Sequence, residues 1–163
     1  MPAVSERFKT YHDFASATLA DIYAEQLENA LKLEANHLES GVWINEGKGG
    51  GRALRWQLLP WEAQLSPVND IAAGDFDGDG ALELILAQNH DSNWIETGRW
   101  RGNPGCHLGW DGSAFVTIPH AESGVVMPAD TKAILVVPTK EGTGIHVLAG
   151  QNDGSLLRFD RLR

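Results

Sequence analysis

Three aspartates stand at alternate positions in the stretch Ala72–Asn89, which reads AAGDFDGDGALELILAQN. Asp75, Asp77 and Asp79 are short carboxylates, and Gly80 allows the chain to turn sharply behind them. Side chains on alternate residues of a tight loop can converge on one point. The spacing therefore allows three interpretations: the carboxylates hold a metal ion, they form an acid/base pair, or they accept hydrogen bonds from backbone amides of a turn.

The residues that follow the aspartates favour calcium among the metal ions. With Asp75 as position 1, Ala81 can offer a backbone carbonyl, and Glu83 can offer a further carboxylate from the start of the next strand. Ca²⁺ takes about 6–8 oxygen ligands, and a flexible loop of hard oxygens suits it better than Mg²⁺ or Zn²⁺. An EF-hand is excluded, because the glutamate that its loop requires at position 12 is Leu86 here. A structural turn and a catalytic carboxylate pair remain as alternatives.

The first part of the chain differs in composition from the rest. At 163 residues the chain has the size of a single domain, within which residues 1–40 are predicted to form an N-terminal helical segment. Apolar residues from Thr18 to about Asn36 recur with a period near 3.6, and Thr18 with Asp21 resembles a capping box. This pattern predicts one helix or two short ones.

Residues 41–163 are predicted to form an all-β region. Short runs of apolar and β-branched residues alternate there with Gly, Asn, Asp and Pro. The predicted strands are Val42–Asn45, Ala53–Leu59, Asp70–Gly74, Leu82–Ala87, Cys106–Trp110, Ala114–Ile118, Lys132–Val137, Ile145–Ala149 and Leu156–Phe159. Short strands with tight turns are typical of a sandwich, a barrel or a propeller. The segments INEGKGGGRALRWQLLP, GWDGSAFVTIP and GQNDGSLLRF each place a Gly with Asn or Asp between two strands, and this repeat favours propeller blades.

Two resemblances to known families support the propeller interpretation. DIAAGDFDGDGALELILAQN resembles the FG-GAP repeat of integrin-like β-propellers, in which D-x-D-x-D-G-x-x-D binds calcium between the first two strands of a blade. Glu83 stands where that pattern has its last Asp. The segments LEANHLESGVWINEGKG, LPWEAQLSPVNDIAAGDFDGDG, LAQNHDSNWIETGRW and IPHAESGVVMPAD resemble, in the same order, the C-terminal part of proteins related to cartilage acidic protein and the ASPIC group.

The resemblance implies a propeller scaffold with calcium-stapled loops and a binding rather than a catalytic role. It also implies an extracellular or periplasmic location if the chain is a fragment of a longer parent. At four strands per blade, the predicted strands make about two to three blades, so we expect a partial β-propeller-like fold. Such a chain is either part of a longer propeller or covers its open sheet edges by association. The latter predicts a homo-oligomer, most simply a dimer.

The segment Asn89–Pro104 is the longest stretch without strand character and is therefore a candidate binding loop. Its candidate ligand contacts are Trp94, Glu96, Arg99, Trp100 and Arg101. An alternative function is thus a carbohydrate or protein recognition module that uses this loop. A structural alternative is a packed cover over the sheet edge, held by Trp94 and Trp100, with a local ion pair and arginine stacking.

Charge and motifs exclude several other functions. The chain has 13 basic and 22 acidic residues and a net charge of -9, which disfavours nucleic-acid and anionic-membrane partners. No stretch approaches the ~20 apolar residues of a membrane span. Cys106, the single cysteine, is expected to be a buried bystander, and the six histidines are expected to lie on the surface or to be hydrogen-bonded. No nucleophile, nucleotide-binding or zinc motif is present, so an enzyme would need a site assembled across subunits.

Overall fold

A computed structural model of the protein describes residues 2–47, 53–139 and 144–160. By its internal contacts the chain divides into two units, Met1–Leu38 and Glu39–Arg163. The turn NEGKGGG, predicted between the first two strands, lies partly outside the described residues.

The first unit contains short helices. They are α1 (Pro2–Arg7), α2 (Tyr11–Ala15), α3 (Leu19–Tyr23) and a 3-10 helix, Ala24–Asn29. The predicted capping box is confirmed: Asp21 N–H donates to Thr18 Oγ1 over 3.3 Å, and Thr18 N–H donates to Asp21 Oδ2 over 2.9 Å. Within the described residues, no helix is both long enough and apolar enough to cross a membrane.

The helix predicted from Thr18 to about Asn36 is wrong beyond Asn29, where the helical backbone ends. The physical reason lies in the side chains that follow. Leu31 and Leu33 are 84% and 82% exposed, so they bury no apolar face that would hold a longer helix. Short helices in water depend on such packing rather than on intrinsic propensity.

The second unit has a strand at each of the nine predicted positions, with bounds that agree within two residues. The strands are β1 (Gly41–Asn45), β2 (Leu54–Leu58), β3 (Val68–Gly74), β4 (Glu83–Gln88), β5 (Cys106–Trp110), β6 (Phe115–Ile118), β7 (Thr131–Pro138), β8 (Ile145–Gln151) and β9 (Leu157–Phe159). A 3-10 helix, Trp61–Gln64, lies between β2 and β3, and α4 (His120–Ser123) lies between β6 and β7.

These strands form three antiparallel sheets with the orders β1-β2, β3-β4-β5-β6 and β7-β8-β9. Consecutive strands are neighbours within every sheet, as expected for strands joined by short turns. The prediction of an all-β region is confirmed at this level. The loop with the three aspartates connects β3 to β4, and the register places Gly74 opposite Glu83 at its base.

Strand β4, an inner strand of the four-stranded sheet, is buried on both faces. Its sequence ELILAQ is an almost continuous apolar run, and all six residues are buried. On one face Ile85 joins a core with Val147 and Ala149 of β8. On the other face Leu84 and Leu86 join a core against which β1 packs Val42 and Ile44. Two apolar layers therefore hold β4 and, with it, one end of the aspartate loop.

Candidate metal centre

The aspartate loop is a tight turn that depends on glycine. Gly78 and Gly80 have φ angles of +88° and +86°, in the left-handed region that other residues rarely adopt. Both N–H groups point at the first aspartate: Gly78 N–H donates to Asp75 Oδ1 over 2.7 Å, and Gly80 N–H donates to Asp75 Oδ2 over 3.0 Å. The predicted role of Gly80 in the turn is confirmed.

The second and third aspartates make local turns of the same kind. Asp79 N–H donates to Asp77 Oδ1 over 2.9 Å, and Ala81 N–H donates to Asp79 Oδ1 over 2.7 Å. These bonds match the interpretation of a structural turn. They do not compete with metal binding, because an ionised carboxylate has about four acceptor sites and each of these bonds uses one.

Three carboxylates converge on one point. Asp75, Asp77 and Glu83 each place a carboxylate oxygen so that these atoms lie within 4.8 Å of one another. Two oxygens on opposite sides of a Ca²⁺ ion, each at about 2.4 Å, stand about 4.8 Å apart. The group therefore fits inside one calcium coordination sphere, and its hard oxygen donors suit that ion.

Asp79 and Ala81, the other predicted ligands, are placed differently. Asp79 is not part of the converging group among the described residues, and its Oδ1 faces the amide of Ala81. Ala81 enters the loop through that N–H, and the role predicted for its carbonyl stays a prediction. The loop thus brings two exposed aspartates together with one buried glutamate.

Glu83 is buried although it carries a carboxylate. The residue is 3% exposed, and its Oε2 accepts hydrogen bonds from Phe76 N–H (2.7 Å) and Asp77 N–H (3.2 Å). Burial raises the pKa of Glu83, and the negative charges of Asp77 and Asp79 raise it further. A cation in the loop would reverse that repulsion, because an opposite charge close by favours the ionised carboxylate.

His107 lies beside Glu83 and was not recognised as a site residue from the sequence. In the register of β4 with β5, Ile85 faces His107 and Glu83 faces Gly109, so Glu83 and His107 share one face of the sheet. His107 Nε2 lies 3.2 Å from Glu83 Oε1, and the Phe76 ring stands edge-on to the imidazole at 6.1 Å. Burial lowers the pKa of His107.

The expectation that every histidine is on the surface or hydrogen-bonded is wrong for His107. Its side chain is fully buried, and neither ring nitrogen has an aligned hydrogen-bond partner among the described residues. The distance to Glu83 Oε1 is short enough for a hydrogen bond, but the ring is turned so that the N–H direction misses the oxygen. Strand alternation in CHLGW was the available signal, and it needed the β4–β5 register to be informative.

The Asn89–Pro104 loop is closed at its base by backbone hydrogen bonds. His90 and Trp100 exchange N–H···O bonds of 2.9 and 2.8 Å, and their rings stand 6.3 Å apart. Arg101 forms a two-pronged ion pair with Asp91 through its Nε and Nη2 atoms. A local ion pair is therefore present, but the acid that Arg101 contacts is Asp91 rather than Glu96, beside which the sequence places the arginines.

The aromatic residues of this loop do not form the predicted cover. Trp94 is 83% exposed and Ile95 is 96% exposed, while Trp100 at the base is half-exposed. Glu96 and Arg99 lie between them and are also exposed. The prediction of a packed cover held by Trp94 is wrong, because the apolar side chains at the tip of the loop are exposed to solvent.

A charged cluster fastens this loop to β7. Asp130 is fully buried; its Oδ2 accepts from Asp91 N–H over 3.2 Å, and its Oδ1 lies 2.7 Å from Lys132 Nζ. Lys132 Nζ also lies 2.8 Å from His90 Nδ1. The base of the loop is therefore held in place, while the side chains of Trp94 and Ile95 at its tip are exposed to solvent.

Comparisons of the chain with protein-family models, with curated protein sequences and with solved structures gave no match.

Proposed function

We propose that this chain is a non-enzymatic, calcium-binding module of propeller type that serves as an interaction scaffold. The observation that carries the proposal is the convergence of Asp75, Asp77 and Glu83 oxygens within 4.8 Å in the turn between two strands. Asp79 and the carbonyl of Ala81 are further candidate ligands. When bound, Ca²⁺ supplies positive charge and coordination for hard oxygens rather than chemistry on a substrate.

The residues of the loop explain why a cation would stabilise this turn. Asp75 and Asp77 follow β3, whereas Glu83 begins β4, so ligands from both sides of the turn would be joined through one ion. The carboxylates repel one another, and Glu83 is also held out of water. A ligand that binds only the folded chain stabilises it by mass action, by about 2.7 kcal/mol at 100 times its Kd.

The propeller part of the proposal rests on sheet order and on the resemblance to FG-GAP repeats. Three successive antiparallel sheets of neighbouring strands, one of them four-stranded, are consistent with two complete or partial blades and a half-blade. The candidate calcium loop joins the first two strands of the four-stranded sheet, as in the repeat that it resembles. An extracellular or periplasmic location is part of the same proposal if the chain belongs to a longer parent.

Calorimetric titration with Ca²⁺, together with thermal melting, tests the calcium site. Asp77→Asn removes one charge but keeps an oxygen for the Asp79 N–H, so weaker binding with little change in metal-free stability is expected. Asp153→Asn, in the exposed turn between β8 and β9, is the matched control and should bind like the wild type. Absence of both heat and a rise in melting temperature in the wild type would reject the proposal.

A second candidate function, recognition of a glycan or protein ligand, is favoured by the Asn89–Pro104 loop. Its tip exposes Trp94 and Ile95 almost fully, while its base is fixed by hydrogen bonds and an ion pair. Exposed aromatic residues on an anchored loop suit a contact surface. A glycan array with the wild type, Trp94→Ala and Trp100→Ala tests this, and Trp61→Ala, which removes an exposed tryptophan of the 3-10 helix between β2 and β3, is the control. Equal signals from all four proteins would argue against ligand recognition by this loop.

Association into a homo-oligomer, most simply a dimer, completes the proposed scaffold role. Trp43, Leu54 and Leu58 lie on one face of the β1–β2 sheet, and each is more than half exposed. Trp43 faces Trp56 across the two strands, with ring centroids 5.1 Å apart. Sedimentation should show concentration-dependent association that Leu54→Glu weakens. A monomer at every micromolar concentration would contradict this part of the proposal.

A further inference from the structure

His107 lies beside the proposed calcium loop but is not one of its proposed ligands. It is fully buried, and neither of its ring nitrogens has an aligned hydrogen-bond partner among the described residues. An imidazole always carries at least one N–H donor, and a buried donor without an acceptor is destabilising. An acceptor lies close by, because Glu83 Oε1 is 3.2 Å from Nε2.

We propose that His107 is the positioning residue of the calcium site, donating its Nε2–H to Glu83 Oε1 and thereby fixing the carboxylate that faces the loop. The inference rests on the proposed calcium-binding function and deepens it. The two atoms are already at hydrogen-bond distance, so the bond requires only that the ring turn its N–H toward the oxygen.

The surroundings of Glu83 show what this contact controls. Oε2 is held by the amides of Phe76 and Asp77, which belong to the loop, whereas Oε1 faces His107 from β5. The strand partner of Glu83 is Gly109, which has no side chain to restrain the carboxylate. His107 is therefore the side chain that keeps Oε1 from turning away and the loop amides from losing their acceptor.

His107 acts through Glu83 rather than as a ligand. The converging group of Asp75, Asp77 and Glu83 does not include the imidazole, although histidine nitrogens are candidates for such a group. Phe76, which lies inside the loop sequence, packs its ring edge-on against the imidazole. Residues that orient metal ligands in this way typically change affinity by about 10–100-fold when they are replaced.

The test compares two substitutions that differ in one property. His107→Phe keeps a ring against Phe76 but has no donor, so calcium affinity should fall by about 10–100-fold. His107→Gln places an amide N–H near the position of Nε2, so it should recover most of the affinity that His107→Phe loses. His120→Gln, in α4, should bind calcium like the wild type. Equal affinity of wild type and His107→Phe would overturn the inference and leave the calcium proposal intact.

Imidazole NMR gives a readout that does not depend on the stability of the variants. In wild-type protein, long-range ¹H–¹⁵N spectra should show the His107 proton on Nε2, and the Nε2 resonance should shift during calcium titration with the Kd found by calorimetry. A proton on Nδ1, or an Nε2 resonance that does not shift when calcium binds, would overturn the inference. A wild type that binds no calcium would overturn the proposed function itself, a distinguishable result.

Discussion

Replacing Glu83 separates its structural role from its proposed role in calcium binding. Glu83→Ala removes the acceptor for Phe76 N–H, which is buried, and for Asp77 N–H, which is partly buried. A buried donor left without a partner costs about 1–3 kcal/mol, and the side-chain void adds to that. We therefore expect Glu83→Ala to lower the free energy of unfolding by ~2–4 kcal/mol in chelator. Glu83→Gln keeps an acceptor oxygen and removes a buried charge, so it should stay within ~1 kcal/mol of wild type.

Urea unfolding followed by tryptophan fluorescence, with and without calcium, measures both effects. In chelator, wild type and Glu83→Gln should have similar free energies of unfolding, and that of Glu83→Ala should be well below both. In calcium the wild type should gain stability, by about 2.7 kcal/mol at 100 times its Kd, and both variants should gain less. Asp153→Asn controls for a general effect of charge removal. A Glu83→Ala variant as stable as wild type in chelator would refute the structural role, and a Glu83→Gln variant that gains as much from calcium as wild type would refute the binding role.

Three further predictions follow from burial and charge. Burial raises the pKa of Glu83, so its protonated form is favoured in the folded chain. In chelator, the stability of wild type relative to Glu83→Gln should therefore be greatest below the ordinary glutamate pKa and should fall as pH rises through the raised pKa. Stability curves of the two proteins that run parallel over this pH range would contradict the prediction. Burial raises the pKa of Cys106 to about 12, so Ellman's reagent should react with it at pH 8 only after unfolding, and rapid reaction of folded protein would refute this. Lys132→Met leaves buried Asp130 without its cation and should lower the free energy of unfolding by ~2 kcal/mol, which is less than for a fully buried pair because Lys132 is partly exposed. An unchanged urea midpoint would refute the pairing.

Local patterns made most of the strands predictable. The run ELILA predicts a strand on its own, and its continuous apolar character fits the burial of β4 on both faces. The spacing of Asp75, Asp77 and Glu83 also predicted the converging oxygens, because the loop is short and Gly80 fixes its turn. In both cases the information lies within about a dozen consecutive residues.

Contacts between distant parts of the chain were not predictable in the same way. His107 meets Glu83 only because the β4–β5 register places them on one face, and nothing in the sequence near His107 indicates that register. The hydrogen bond from Asp91 N–H to Asp130 Oδ2, at the base of the Asn89–Pro104 loop, likewise depends on where β7 lies. For Trp94 the sequence predicted packing that the structure does not show. Its aromatic character suggested burial, but composition does not reveal that it stands at a loop tip.

Calorimetric titration of the intact, metal-depleted chain with calcium tests most directly whether the aspartate loop is a calcium site. We expect saturable heat with a single class of site, a raised melting temperature in calcium, weaker binding by Asp77→Asn and unchanged binding by Asp153→Asn. A wild-type chain that gives no heat and the same melting temperature in calcium and in chelator would contradict it, and the aspartate loop would then be a hydrogen-bonded turn.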